Sequence, residues 1–578
     1  MKSRTPVFAL SLAGASLCAL ALLSPGSARE EEPVTTMPVF ASLPQGTQPL
    51  ASSAFAQDCR DLTATSLAGG EVLSADPIRD TPAAAFLGRN GGQALPPHAE
   101  TPLPPFCRVR VRMAPVSGSQ IHVEVWLPSP ETWNARFLGT GNGGPGGAIS
   151  YFGMAAGLHR GFAVANSDLG TSPVSDKATI FPATARPESA VDLGHRADHQ
   201  MTRAAKTLIG TLYGKAPKTS LFEGCSTGGQ EALALAQRYP ADYDGILAGA
   251  PANNRTHLHA YFLWNFHVQQ AIRGGLTQTK LAMVHDKVLE SCAGRDGGLA
   301  GDDFLTDPRQ CDFDITTLPI CPQGSDADTC LTHAQFDALG QLYQGPINPR
   351  TGERIFAGVP FGVDWSGVLA HGQPFWQNID TYTWNWTFGN GYDYRTFDFD
   401  RDLDAVDANS ASYLNSNSAD LSEFRNRGGK LVLYTGSADP HIPYPDTLHY
   451  YERLVAANGS DLAATQGFAR YYVAPGMGHC EGGAGFGHFG QGSRVPTQRR
   501  NDILLQLLDW VETNKAPSPV AQQLAKTGSQ ITAERPLCAY PAYPAYTGGE
   551  RSSATSYQCT VRQRGTVPTP APRYLNAP

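Results

Sequence analysis

The sequence contains no long run of like charges, and beyond its N-terminal segment it contains no hydrophobic run long enough to cross a bilayer. Charged residues make up 17% of the 578 positions, and the formal net charge of -8 is spread along the chain. A phosphate-binding loop is missing too, because no Lys-Ser or Lys-Thr follows the glycine-rich stretch at 139–147 and no dinucleotide fingerprint is present. These absences predict no nucleic-acid partner, no stable membrane insertion and no cofactor for catalysis.

The N-terminus, MKSRTPVFALSLAGASLCALALLSPGSARE, has the layout of a cleaved secretory signal. Lys2 and Arg4 precede an apolar run that ends near Leu23, and small residues follow up to Ala28. We predict a signal peptide over 1–28 and a secreted or periplasmic location. An uncleaved membrane anchor is the alternative, although the run is short for a span.

Removal of the signal takes Cys18 with it and leaves ten cysteines. An even number of cysteines in an exported chain predicts five disulfides, although the sequence alone does not fix their pairing. Short separations make local pairs plausible, and elimination then leaves one distant pair. The candidate pairs are Cys59 with Cys107, Cys292 with Cys311, Cys321 with Cys330, Cys538 with Cys559, and Cys225 with Cys480.

Hydrophobic periodicity indicates an α/β fold. The stretches CRVRVRMAP and SQIHVEVWLP alternate apolar and polar residues, which predicts an antiparallel hairpin. From residue 135 onward, short apolar strands alternate with helical stretches such as 198–214 and 501–513. This alternation predicts a mostly parallel sheet with helices on both faces.

The alternation stops between about 253 and 425, the segment that holds Trp264, Trp365, Trp376, Trp384 and Trp386. We interpret it as a large lid domain inserted into the sheet domain. The predicted organisation is a signal peptide at 1–28, a core at 29–252 and 426–515, the lid at 253–425, and a C-terminal segment with a local disulfide at 516–578.

The stretch Gly224-Cys225-Ser226-Thr227-Gly228 lies between a predicted strand and a predicted helix. This pattern is typical of a nucleophile elbow, a tight turn that needs small neighbours and projects the central hydroxyl above the sheet. The sequence therefore predicts Ser226 as a nucleophile.

A serine nucleophile needs a base, and the base needs an acid that orients it. His479 and Asp439 each follow a late predicted strand, and we predict them as base and acid. His488 and Asp446 are the rivals, each a little further along the chain.

An oxyanion needs two backbone donors. Thr227, directly after the nucleophile, is predicted to supply one, and the loop at 139–147 to supply the other through Gly141 or Asn142. A flexible surface turn is the alternative interpretation of that loop.

A cysteine adjoins both the predicted nucleophile and the predicted base. If Ser226 and His479 lie within hydrogen-bond reach, Cys225 and Cys480 come within disulfide range. The bridge would then hold the base beside the nucleophile.

These motifs resemble the tannase and feruloyl esterase family of secreted α/β-hydrolases, which includes the mono-hydroxyethyl terephthalate hydrolases. The resemblance is carried by GCSTGGQEAL from 224, RYPADYDGILAGAP from 238, FRNRGGKLVLYTGSADP from 424 and GMGHC from 476, and it runs from about Cys59 to Cys559. It implies a triad of Ser226, Asp439 and His479, and a triad-linking disulfide between Cys225 and Cys480.

One departure from the family concerns calcium. The family usually carries an acidic calcium loop in the lid, and the corresponding stretch here is CAGRDGGLAGDDFLTDP. Ala293 and Ala300 stand where carboxylates are expected, and because calcium takes about six or more oxygen ligands, a weakened or absent site is expected. The carboxylates left for a structural calcium ion are Asp296, Asp302, Asp303 and Asp307.

The resemblance implies hydrolysis of small aromatic esters, either gallates or hydroxycinnamates, through an acyl-enzyme. Another aryl ester, such as mono-hydroxyethyl terephthalate, is the alternative substrate, and a binding protein on a non-catalytic hydrolase scaffold is the alternative of another class. The sequence also predicts that the lid supplies a tryptophan- and tyrosine-rich slot for the aromatic group. The predicted partners for ring hydroxyls are Asp393, Asp398, Asp400 and Asn385.

Overall fold

The computed structural model describes most of the chain. The described residues are 39–40, 48–49, 54–82, 84–87, 101–172, 186–272, 275–372, 382–389, 391–526, 529–562 and 567–576. The predicted signal peptide at 1–28 lies outside them. No helix among the described residues is long and apolar enough to cross a membrane.

Ten strands form one mixed sheet. In chain order they are β1 (Gln48–Pro49), β2 (Gly70–Arg79), β3 (Phe106–Met113), β4 (Ile121–Pro128), β5 (Arg136–Thr140), β6 (Ala163–Ser167), β7 (Thr219–Cys225), β8 (Gly245–Gly249), β9 (Lys430–Gly436) and β10 (Ala469–Ala474). Their order across the sheet is β1-β2-β3-β4-β6-β5-β7-β8-β9-β10. Strands β5 to β10 run parallel, whereas β1 to β4 extend one edge with antiparallel pairing. The mostly parallel sheet predicted from the sequence is therefore confirmed.

The predicted hairpin is formed by β3 and β4, which pair along their full length, with Phe106 opposite Pro128 and Met113 opposite Ile121. Strand β2, which pairs with β3, was not predicted. Its sequence GEVLSADPIR mixes charged residues with a proline and lacks a regular alternation. The C-terminal segment adds two small sheets, one of β11 (Val520–Leu524) with β12 (Ile531–Pro536) and one of β13 (Tyr543–Tyr546) with β14 (Tyr557–Thr560).

Some of the described α-helices pack on the two faces of the sheet, and others form a separate cluster between β8 and β9 in the chain. In chain order they are α1 (Ala54–Asp61), α2 (Ala84–Leu87), α3 (Tyr151–His159), α4 (Glu188–Val191), α5 (Ala197–Tyr213), α6 (Thr227–Arg238), α7 (Arg255–Gln270), α8 (Gln278–Cys292), α9 (His333–Gln344), α10 (Trp365–His371), α11 (Tyr382–Phe388), α12 (Arg401–Val406), α13 (Ser412–Leu414), α14 (Ser422–Asn426), α15 (Tyr444–Ala457), α16 (Leu462–Gln466), α17 (Ile503–Thr513) and α18 (Pro572–Leu575).

Successive side chains of β7 show which helices cover the two faces of the sheet. Phe222 packs into a hydrophobic cluster with Leu208 of α5 and Leu233 of α6. Its neighbour Leu221 packs into a second cluster with Met154 of α3 and Leu507 of α17. Successive side chains of a strand point to opposite faces, so the helices predicted for both faces are confirmed.

The chain between β8 and β9 forms a large helical insertion. Its described residues contribute helices α7 to α14 and no strand to the ten-stranded sheet. Tyr261, Phe356, Trp365 and Trp384 belong to its own hydrophobic cluster, which also includes Ile442 from the loop after β9. Apolar packing therefore fastens the insertion to the core.

A buried ion pair links the antiparallel edge of the sheet to α3. Arg108 on β3 donates to both carboxylate oxygens of Glu124 on β4, at 2.6 and 2.9 Å, and both side chains are fully buried. The Tyr151 hydroxyl and the Trp126 indole donate to the same carboxylate at 2.9 and 2.7 Å. Because both side chains are fully buried, removal of one leaves the charge of the other buried and uncompensated.

We expect Glu124→Gln to lower the free energy of unfolding by about 3 to 5 kcal/mol, the usual cost of breaking one side of a buried pair. The matched control is Glu71→Gln, which removes the partner of Arg112 from a half-exposed pair, with side chains 53% and 49% exposed. That change should cost less than about 1 kcal/mol. Urea denaturation of the three proteins measures both values, and equal losses would contradict the role given to burial.

Candidate active site

Ser226 occupies the turn between β7 and α6, with φ 66° and ψ -119°. Such a conformation is strained for a residue with a side chain and is tolerated only where the surroundings impose it. The turn is tight because a Cβ on Gly224 would lie 2.4 to 2.7 Å from the backbone of Gly228. Among the described residues the Ser226 hydroxyl has no hydrogen-bond partner, and the side chain lines a cavity.

His479 and Asp439 meet at the ends of the neighbouring strands β10 and β9. His479 Nδ1 lies 2.8 Å from Asp439 Oδ2, and the Asp439 carboxylate is fully buried. The other oxygen, Oδ1, accepts the backbone N–H groups of His441 and Ile442 at 2.9 and 3.0 Å. The carboxylate is thus fixed, and with Nδ1 donating to it, His479 Nε2 is left as the proton acceptor.

Asp446 and His488, the alternative acid and base, lie outside the cavity that contains Ser226. Asp446 is buried within α15, and the backbone of His488 pairs with Gln522. Neither lines the cavity that Ser226 and His479 share.

A disulfide joins Cys225 to Cys480, with their Cα atoms 5.8 Å apart across a sequence separation of 255 residues. It connects the residue before Ser226 to the residue after His479, so it ties the two loops directly. The other disulfides are Cys59 with Cys107, Cys292 with Cys311, Cys321 with Cys330, and Cys538 with Cys559. These are the five pairs that the sequence indicated.

The cavity has a volume of about 770 Å³. Leu258, His259 and Phe262 of α7 line one part of it, and Phe152 and Tyr434 of the core line another. Such flat and apolar side chains suit an aromatic group.

The insertion does not line the cavity with the tryptophans that the sequence predicted. None of its described tryptophans lines the cavity, and Trp376 lies outside the described residues. The slot is instead lined by phenylalanine, tyrosine and histidine, because helical packing directs Trp365 and Trp384 into the insertion's own core.

The predicted partners for ring hydroxyls do not line the cavity either. Asp393 and Asp400 accept hydrogen bonds from Arg395 and Arg350, and Asp398 accepts the backbone amides of its neighbours. Asn385 does not line the cavity either, and no pattern in the sequence indicates which polar residues of the insertion reach it.

The loop after β5 lies over the elbow, as the sequence predicted, but its amides are used differently. The Gly141 N–H donates to the Glu223 carbonyl at 2.9 Å, and the Asn142 N–H donates to the Glu231 carboxylate at 3.1 Å. The N–H groups of Gly141 and Asn142, the two candidates predicted from this loop, are therefore already used within the protein. Among the described residues, the N–H groups of Gly143 and Thr227 have no hydrogen-bond partner, and both residues line the cavity.

Sequence reasoning missed His441, which lies two residues after Asp439. Its ring lies 5.0 Å from that of His479, and its Nδ1 lies 2.9 Å from Nε2 of the buried His371. Burial, assisted by the neighbouring His479, lowers the pKa of His441 to about 4. The ring is therefore uncharged at neutral pH, so it does not oppose a proton on His479.

Sequence reasoning also missed Glu223, which lies on β7 three residues before Ser226 and lines the cavity. Burial raises the pKa of its carboxyl to about 8, with the Arg160 charge and the Gly492 amide only partly lowering it. A glutamate between Phe222 and Gly224, directly before the predicted elbow, is the signal that could have drawn attention to it.

The four aspartates predicted as calcium ligands are each engaged by protein groups. Asp296 accepts the amides of Gly298 and Thr306, Asp302 pairs with Arg535, and Asp307 pairs with Arg309. Asp303 is half exposed and lies 3.6 Å from Lys526. Among the described residues no three acidic, histidine or cysteine side chains converge on one point, so this arrangement does not fit a calcium ion.

We expect replacement of both Cys225 and Cys480 by serine to lower kcat for ester hydrolysis by about 10²-fold, because a displacement near 1 Å between reacting groups has that effect. The free energy of unfolding should fall by up to roughly 5 kcal/mol, since the bridge closes a very long loop. Peptide mapping without reduction should find the two cysteines linked in the unmodified protein.

The matched control replaces Cys321 and Cys330, which close a loop with a separation of only 9 residues outside the cavity. This variant should keep its kcat. A kcat that survives loss of the Cys225 bridge equally well would contradict the positioning role.

Comparison with known proteins agrees with this geometry. Residues 107–560 match the family described as tannase and feruloyl esterase. An uncharacterised esterase of Xanthomonas campestris pv. campestris is 34% identical over 551 residues, which cover 89% of this chain and 93% of that protein. A probable feruloyl esterase B-1 of Aspergillus flavus is 30% identical over 467 residues, which cover 78% and 86%.

Among solved structures, feruloyl esterase B from Aspergillus oryzae matches with a TM-score of 0.77 and 27% identity, covering 88% of this chain and 100% of that one. The present chain is therefore an esterase with the α/β-hydrolase fold that belongs to the tannase and feruloyl esterase family.

Proposed function

We propose that this protein is a secreted or periplasmic serine esterase that hydrolyses esters of hydroxylated aromatic acids through Ser226, His479 and Asp439. The observation that supports the proposal is the disulfide between Cys225 and Cys480, which ties the loop of the oriented His479–Asp439 pair to the turn of the strained Ser226. The chain's similarity to proteins named as feruloyl esterases supports the substrate class.

In the first half of the reaction, Ser226 Oγ attacks the ester carbonyl carbon while His479 Nε2 takes the hydroxyl proton. Asp439 keeps the imidazole oriented and stabilises the positive charge that develops on it. The tetrahedral intermediate collapses when the C–O bond of the alcohol breaks, and His479 returns the proton to the departing oxygen. An acyl group is then bound to Ser226.

In the second half, His479 takes a proton from water, the hydroxide attacks the acyl carbon, and the proton passes to Ser226 as the acid leaves. The negative oxygen of each intermediate needs two backbone donors. We assign these to the N–H groups of Thr227 and Gly143, because both line the cavity and neither donates to another described residue.

The helical insertion is proposed to act as the lid that selects the acyl group. Helix α7 brings Leu258, His259 and Phe262 to the cavity that contains Ser226. The insertion shares a hydrophobic cluster with Ile442 of the core, so deletion of the segment would expose apolar core residues. Point substitutions in α7 therefore test this role better than deletion does.

A second substrate class is favoured by Arg494. This residue lines the cavity, and its guanidinium makes no hydrogen bond to another described residue. A cation at this position could bind a substrate carboxylate, as in the monoester of a terephthalate.

We expect Ser226→Ala and His479→Ala each to lower kcat by about 10⁴-fold or more, and Asp439→Asn to lower it somewhat less. Thermal unfolding should show that the variants stay folded. The controls are Asp446→Asn and His488→Ala, which replace the same residue types outside the cavity and should keep most of the activity. Turnover that persists in the Ser226 variant would refute the assignment.

We expect kcat/KM to be higher for aromatic esters than for a short aliphatic ester, because the cavity offers flat apolar contacts that a butyrate cannot fill. The measurement compares methyl gallate, methyl ferulate, mono-hydroxyethyl terephthalate and methyl butyrate. The order of the first three decides between the two aromatic classes, and a preference for butyrate would exclude both.

A further inference from the structure

Glu223 is a buried carboxyl group that the proposed mechanism does not use. Only 4% of the residue is exposed, and neither carboxyl oxygen makes a hydrogen bond of normal geometry to a described residue, although the Gly492 amide lies near enough to lower the pKa of the carboxyl. A buried polar group without a partner is costly to keep, so its presence calls for a physical explanation.

The neighbouring groups of β5 and α3 are not positioned to donate hydrogen bonds to the Glu223 carboxyl. The nearby Thr140 hydroxyl already donates to the Ala165 carbonyl at 3.1 Å. On the other side, α3 places Gly153 there, and a Cβ on that residue would lie 3.7 Å from Glu223 Oε1 and 3.1 Å from Thr140. Protein atoms therefore pack closely against the carboxyl group on these sides. Its remaining side faces the cavity that contains Ser226.

The charged and titratable groups that act on Glu223 come from several elements. Arg160 at the end of α3 and Asp502 before α17 exert opposing effects, and burial dominates, which raises the pKa to about 8. The buried Tyr434 on β9 lies close enough that a charge on Glu223 raises the pKa of its hydroxyl. At neutral pH the side chain is therefore an uncharged carboxylic acid, which can donate one hydrogen bond and accept others.

A hydroxyl group has the matching capacity, because it too donates and accepts. A substrate carboxylate would instead meet a second acidic group in a site shielded from water. We infer that Glu223 is a specificity-determining residue whose carboxyl group pairs with a hydroxyl on the aromatic acid of the substrate. This inference rests on the proposed function and identifies the group within the cavity that distinguishes hydroxylated acids from unhydroxylated ones.

The test uses two pairs of methyl esters that differ only in ring hydroxyls, 4-hydroxycinnamate against cinnamate and gallate against benzoate. The measured quantity is kcat/KM for the hydroxylated ester divided by kcat/KM for the unhydroxylated one. It is followed in whichever of the two pairs gives the larger ratio with the unmodified enzyme. We expect Glu223→Leu to lower that ratio by about tenfold to a hundredfold, because a site built to pair a hydroxyl loses its discrimination when the partner is removed.

Glu223→Gln should keep the ratio within about threefold, since an amide also donates and accepts hydrogen bonds. The control is Asp446→Asn, which changes another buried carboxyl, whose pKa is raised to about 7, outside the cavity. It should leave the ratio unchanged, and thermal unfolding shows whether each variant is folded.

A second measurement follows the melting temperature of the unmodified protein and of Glu223→Gln from pH 5 to pH 9. The unfolded side chain ionises near pH 4.5 and the folded one near 8, so the unmodified protein loses stability as pH rises between these values. The glutamine variant lacks this loss, so its advantage should grow up to about pH 8.

An unmodified enzyme that does not distinguish hydroxylated from unhydroxylated esters, or a Glu223→Leu variant with an unchanged ratio, would overturn the inference. Melting curves that stay parallel across the pH range would do the same, because the carboxyl would then already have a partner. Failure of the proposed function has a different signature, since the unmodified enzyme would then hydrolyse none of the four esters.

Discussion

The covalent link between Cys225 and Cys480 is the constraint on which the rest of the site depends. Ser226, the proposed nucleophile, lies in a turn after β7, whereas His479, the proposed base, lies in a loop after β10, and β8 and β9 separate these strands in the sheet. Hydrogen bonding within the sheet fixes the strands but not the conformations of the loops at their ends. The disulfide transmits the rigidity of the elbow to the loop of His479, and Asp439 then fixes the remaining rotation of the ring.

Two buried carboxyl groups near this link have opposite surroundings. Asp439 accepts two backbone amides and the imidazole, so its lone pairs are occupied and its charge is stabilised. Glu223 makes no hydrogen bond of normal geometry to a described residue, has only the Gly492 amide near it, and lines the cavity. The Asp439 carboxylate therefore has its hydrogen-bonding capacity taken up within the protein, whereas that of Glu223 is left for a ligand in the cavity.

The sequence was sufficient for features that depend on local pattern. Alternation predicted the β3–β4 hairpin, and the small residues around Ser226 predicted the elbow, because these features need particular residues at adjacent positions. The roles of Gly141, Asn142 and the insertion tryptophans were beyond its reach. Whether an amide is available depends on contacts such as Asn142 with Glu231, which lie 89 residues apart. Likewise, whether Trp384 faces a ligand or a helix is decided only by packing.

The length of the loop closed by Cys225 and Cys480 has a consequence for biosynthesis. Cys225 is synthesised 255 residues before its partner, and Cys292, Cys311, Cys321 and Cys330 are all translated in between. An oxidant that acted before Cys480 emerged would find Cys59 and Cys107, as well as these four later thiols, available to pair with Cys225. Correct maturation is therefore favoured when the other cysteines pair locally before Cys480 emerges, or when an isomerase repairs wrong pairs. Yield of active protein is thus tied to the redox machinery of the compartment in which the chain folds.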